Sequence, residues 1–111
     1  MIRAALLAGL LAGAPGDPGL DWPQWRGPAG SGVSEASGLP ERWGSSENVL
    51  WKAELPGRGV SSPILARGRI YLTASSGAQG DHLHVLAFDA ASGRRLWERR
   101  FRATAPAQCN P

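Results

Sequence analysis

From residue 49 onward the apolar positions come in short runs, each closed by a turn signal. Residues 49–55 carry Val49, Leu50, Trp51, Ala53 and Leu55 and stop at Pro56 and Gly57. Residues 62–66 stop at Arg67 and Gly68, and residues 69–74 at Ser75, Ser76 and Gly77. A fourth run, 84–89, leads through Ala90, Ala91, Ser92 and Gly93 into a last strand over 94–101. Runs of this length, bounded by Gly, Pro and Ser, predict strands. The four that follow Pro56 predict one compact antiparallel sheet. Arg67-Gly68 predicts a tight hairpin between the first two of them. Asp89 to Gly93 predicts another between the last two, because Asp accepts hydrogen bonds from turn amides and Gly accepts positive φ. In the 84–89 run Leu86 and Phe88 fall on one face and Val85 and Ala87 on the other. A strand apolar on both faces belongs between two layers.

The first 48 residues have a different texture. Met1, Ile2 and Arg3 give a short positive start, residues 4–14 are apolar apart from two glycines, and Pro15-Gly16-Asp17-Pro18-Gly19 stops any helix. This is the layout of an export signal, which sets residues 1–16 apart as a leader and places the mature chain outside the cytoplasm, in the periplasm or cell envelope. About eleven apolar residues fall short of the ~20 needed to cross a bilayer, so no stable membrane span is expected. Residues 17–48 form an irregular, Gly-, Pro- and Ser-containing arm with Trp22, Trp25 and Trp43. Each indole removes on the order of 200 Å² of surface from water when it docks, so the arm is expected to anchor itself on a larger body through these rings.

Composition narrows the classes. Fifteen glycines and nine prolines in 111 residues mark a turn-rich, all-β chain. The formal charge of +3 comes from eleven arginines and one lysine against nine acids, and this excess is too small for a nucleic-acid-binding surface. Cys109 is the lone cysteine, which excludes zinc and redox motifs built on cysteine pairs. His82 and His84 project from one side of a strand with Asp81 beside them, an arrangement that lacks a convincing third metal ligand. Arg94, Arg95, Arg99, Arg100 and Arg102 crowd the last strand. They read either as a solvated, charge-protected sheet edge or as a site for phosphate or an acidic partner. No glycine-rich phosphate loop, nucleophile elbow or paired-carboxylate constellation can be assembled.

A partial internal repeat organises the second half. Leu50-Trp51 with Leu55 superimposes on Leu96-Trp97 with Phe101 at an offset of 46 residues, within the range of propeller blades. The stretch from Ala87 through Asp89, Ser92 and Gly93 to Trp97 closely resembles the signature of pyrroloquinoline-quinone-like (PQQ) repeats, Ala-x-Asp-x-x-Thr/Ser-Gly-x-x-x-Trp. Asp21-Trp22-Pro23-Gln24-Trp25-Arg26-Gly27-Pro28, with Leu50-Trp51-Lys52 and Ser61-Ser62-Pro63-Ile64, is similar to the opening of exported bacterial members of that group. The resemblance covers roughly residues 21–101.

It implies an all-β propeller of four-stranded antiparallel blades. A strand of the adjacent blade lies at 49–55, the first blade at about 61–101, and the propeller region runs over 49–111. It also implies that Trp97, Ala87 and Gly93 form a blade-docking unit, that Asp89 sets its turn, and that Trp51 is the equivalent ring on the entering strand. Members resemble closed rings of seven or eight blades, so the chain reads as an N-terminal fragment whose first partners are the remaining blades. The function implied is that of a non-catalytic scaffold or binding protein of the cell envelope, meeting a protein or polymer partner. The alternative is a quinoprotein dehydrogenase oxidising alcohols or sugars, whose PQQ pocket, calcium site and catalytic carboxylate would come from other blades.

Overall fold

The computed structural model describes residues 2–6, 20–59 and 61–104. It contains six strands: β1 (Ile2–Leu6), β2 (Trp51–Leu55), β3 (Ile64–Ala66), β4 (Arg69–Ser76), β5 (His82–Asp89) and β6 (Arg95–Arg102). No α-helix occurs among the described residues. Strands β3, β4, β5 and β6 pair antiparallel in sequence order as one four-stranded meander, and β1 pairs with β2 in a separate ribbon. The protein is all-β, and the meander is the size and topology of a single propeller blade.

Local chemistry explains the turns. Arg67 and Gly68 both take positive φ, 50° and 73°, so Ala66 and Arg69 face each other directly across a two-residue loop. That backbone twist matches the right-handed twist of the strands it joins. β3 starts at Ile64, two residues later than the apolar run suggests, because Pro63 has no N–H to offer the ladder. The Ser61 side chain takes over instead: its hydroxyl donates to the Thr73 carbonyl at 3.1 Å and accepts from the Thr73 N–H at 3.0 Å. β4 and β5 run further than their apolar runs, with Ser75 opposite Leu83 and Ser76 opposite His82. Backbone pairing carries the polar residues that hydropathy alone leaves out.

The two faces of the blade differ. One carries Ile70, Ala74, Leu86 and Phe88, which with Leu55 of β2 form the buried core. Trp51, Ala53, Leu65, Leu72 and Ala90 pack around that cluster, so β2 lies over this face. Leu86 is fully buried. On the other face, cross-strand register aligns Tyr71, Ala87 and Trp97. The Tyr71 and Trp97 rings sit 6.1 Å apart, so they close over the small Ala87 between them, which is fully buried. Around that pair, Ile64, Leu83, Trp97 and Phe101 remain 36–57% exposed. β5 is therefore apolar on both sides as expected, with one face covered and the other partly exposed.

The arm before β2 is docked through one of its tryptophans. Trp22 exchanges two backbone hydrogen bonds with Leu65, 2.7 and 3.0 Å, adding a single rung to the outer edge of β3. The Asp21 carboxylate accepts the Arg67 N–H at 2.9 Å, and the Trp22 ring covers Gly27, where a Cβ would meet it at 2.6 Å. Trp25 and Trp43 depart from the expectation of anchoring rings, being 72% and 61% exposed. The positive φ of Arg26 and Gly27 turns the chain sharply there, and the Arg26 guanidinium lies over Trp25, 5.7 Å from its ring centre. Of the segment read as a leader, Ile2–Leu6 pairs along the whole of β2, Ile2 opposite Leu55 and Leu6 opposite Trp51. Residues 7–16 and Cys109 lie outside the described residues.

Candidate functional site

The repeat signature builds a socket at the β5–β6 hairpin. The Asp89 carboxylate accepts both the Ser92 N–H and the Ser92 hydroxyl, each at 2.8 Å, and these bonds hold its carboxyl below the usual range. The Gly93 N–H donates to the Asp89 carbonyl and the Ala90 N–H to the Gly68 carbonyl, which ties the hairpin back to the β3–β4 turn. Into this loop comes Trp51 from β2. Its indole N–H donates to the Ala90 carbonyl at 2.8 Å, and its ring stacks near-parallel to Phe88 with centroids 6.5 Å apart. Gly93, at φ 73°, lies directly against the ring, so a Cβ there would fall among the indole carbons.

The residues read as a docking unit, together with the turn-setting Asp89 and the entering Trp51, are thus divided between two faces. Asp89 and Gly93 shape a loop that receives Trp51. Ala87 and Trp97 sit on the opposite face, where Trp97 leans on Tyr71 and presents an exposed edge. Gly93 makes room for Trp51 and not for Trp97.

A second constellation was not legible as a unit in the sequence. His84 is 6% exposed and bonded at both ring nitrogens: Ser76 Oγ lies 2.7 Å from Nε2, and Glu98 Oε1 lies 2.7 Å from Nδ1. Glu98 also receives Arg100 through two bonds, 2.9 and 3.3 Å, and Arg95 at 3.2 Å. The Arg100 guanidinium first, and the His84 imidazole second, hold its carboxyl at about 2. An ionised Glu98 only accepts, so Nδ1 carries the His84 proton and, in the neutral ring, Nε2 is the acceptor for the Ser76 hydroxyl. Arg95 reaches Glu98 because the β5–β6 register shifts at Ala87/Phe88, setting Arg95 opposite Phe88. Without that bulge, residues three apart on a strand point to opposite faces.

These contacts bear on the two surface features. His82 and His84 share a face, but both His84 nitrogens are engaged, and no group of three or more metal-ligating side chains occurs among the described residues. The arginines of β6 are not all free solvent charges, since Arg95 and Arg100 clamp Glu98 and Arg102 lies 3.4 Å from Asp81. The parity of β5 is enough to place His84 with Leu86 and Phe88 on the core side. Its partners follow only from register and the bulge.

The socket and the clamp can each be probed by one substitution. Gly93→Ala adds a methyl group where the Trp51 ring sits and forces a non-glycine residue to positive φ, and should lower stability by about 2–5 kcal/mol in denaturant unfolding of the full-length protein. The clamp responds to acid. A carboxyl lowered from 4.5 to about 2 in the folded state stabilises the fold above pH ~4.5, and that contribution is lost as pH falls toward 2. Unfolding curves of Glu98→Gln should therefore show lower stability than wild type at pH 7, with the difference shrinking steadily between pH ~4.5 and 2.

Comparison with known proteins agrees with this architecture. No curated protein and no solved structure gives a significant match to the chain. A family profile described as outer membrane protein assembly factor BamB, a PQQ-repeat propeller family, matches residues 43–109, which span the socket, the blade, Trp51 and Trp97. The match covers more than half of the 111 residues, and the chain belongs to this PQQ-repeat family.

Proposed function

We propose that this chain contributes the opening blade of an exported propeller that acts as a scaffold or binding protein of the cell envelope and carries out no quinone-dependent oxidation. The observation that carries the reading is the use made of the signature residues. Trp51, Ala90 and Gly93 are spent on packing one layer against the next, and Asp89 on the turn that shapes the socket. The family's description as an assembly factor of the outer membrane supports an envelope role in which ring faces meet a protein or polymer partner.

The residues present do not fit the quinone and calcium that some propellers of this type hold. The carboxylates of the blade are committed elsewhere: Asp89 to Ser92, Glu98 to His84, Arg95 and Arg100, and Asp81 to Arg102. Among the described residues no helix is long and apolar enough to cross a membrane.

Full-length protein purified from the envelope fraction, mixed with calcium, PQQ and a primary alcohol, should leave the quinone absorbance unchanged. Its intact mass should place the mature start near Pro15 or Asp17. Alcohol-dependent bleaching of a bound quinone would replace the scaffold by a dehydrogenase, and a retained Met1 would remove export from the account.

A further inference from the structure

The Ser76–His84–Glu98 chain has the connectivity of an activated nucleophile, a hydroxyl hydrogen-bonded to a base that is itself oriented by a third group. Both links are 2.7 Å, and the middle residue is 6% exposed. Ser76 is the last residue of β4, half-buried, at the rim where the strand gives way to Gly77. The outer members supply what each position needs. Glu98 is ionised and held by Arg95 and Arg100, so it fixes the tautomer of the ring; Ser76 lies at the other nitrogen, which is then free to accept a proton. Register sets His82 and Arg102 in line with Ser76 across the sheet, on the same face and at the same end. Both stand near the Asp81 carboxylate, Arg102 at 3.4 Å and His82 at 3.9 Å.

We propose that Ser76 is a nucleophile for acyl transfer, with His84 as its general base and Glu98 as the residue positioning His84, acting on carboxylic esters small enough to reach the blade rim. The Ser76 oxygen bonds to the ester carbonyl carbon while its proton passes to His84 Nε2. Collapse of the tetrahedral adduct breaks the bond to the leaving alkoxide, which takes that proton from Nε2, and the acyl group stays on Ser76. Water then attacks the acyl carbon, giving its proton to Nε2. The carboxylic acid departs as Ser76 recovers its proton, so no oxidant or cofactor enters the balance. The site is independent of the scaffold reading, since it requires only this blade and no particular partner.

The test is covalent labelling of the full-length protein with a fluorophosphonate probe, the modified residue being located by peptide mass spectrometry. Ser76 should be labelled in preference to the exposed Ser61 and Ser62, and Ser76→Ala, its fold checked by a cooperative melting curve, should abolish that label. His84→Gln should slow labelling by about 100-fold or more, the range that a positioned base contributes. Hydrolysis of p-nitrophenyl acetate should fall in parallel in both variants. Failure of the folded wild-type protein to label at Ser76 overturns the proposal, as does labelling no more selective than at Ser61. Should His84→Gln not fold, wild-type selectivity for Ser76 over Ser61 and Ser62 still decides the outcome. Because acyl transfer involves no quinone, neither result bears on whether the protein oxidises alcohols.

Discussion

One aromatic ring holds the two layers of this structure together. Trp51 belongs to β2, yet its stacking on Phe88, its indole bond to Ala90 and its contact with Gly93 all lie on the β5–β6 hairpin. A partly buried tryptophan is held by apolar cover and a partner for its N–H, and this loop supplies the two together. The demand propagates into the hairpin. Gly93 must lack a side chain, Asp89 must cap the turn so that Gly93 stays in place, and Ala90 must present its carbonyl. Leu55 and Ala53 then follow Trp51 onto the core face, where Leu86 and Phe88 are buried.

The opposite face keeps its large apolar side chains partly exposed. Tyr71 and Trp97 shelter Ala87, while Ile64, Leu83 and Phe101 stay open beside them. A repeat in which each unit offers a tryptophan on one side and a glycine socket on the other can stack without limit until it closes. The same asymmetry separates adhesion from polar chemistry. The docking residues gather at the hairpin end of β5, whereas Ser76 and His84 lie toward the other end, next to the clamped Glu98. The β6 bulge is what makes that clamp possible, since it brings Arg95 to the same side as Arg100 and Glu98.

Much of this was legible in the sequence, for identifiable reasons. The alternation in β5, the Arg67-Gly68 turn and the capping Asp89 are local signals, and local signals survive folding. The 46-residue offset between Trp51 and Trp97 is enough by itself to point to stacked sheets. What stayed hidden depended on non-local register. Nothing near Gly93 in sequence indicates that it receives the tryptophan 42 positions earlier and not the one four positions later. His84 reads as half of a strand-end histidine pair because its partners, Ser76 and Glu98, lie on two other strands. Composition alone would bury Trp25 and Trp43, and a sharp turn at Arg26 and Gly27 leaves Trp25 outside.

The central claim is that tryptophans at this repeat position join successive layers, and Trp97 offers the most direct test because it stands on the partly exposed face of the blade. In the full-length protein, thermal and denaturant unfolding of Trp97→Ala should show a loss of about 3–5 kcal/mol, the cost of truncating a large aromatic in a packed interior. The same unfolding curve as wild type would mean that Trp97 is a half-exposed surface ring in the full-length protein as well, and that the layers are joined by something else.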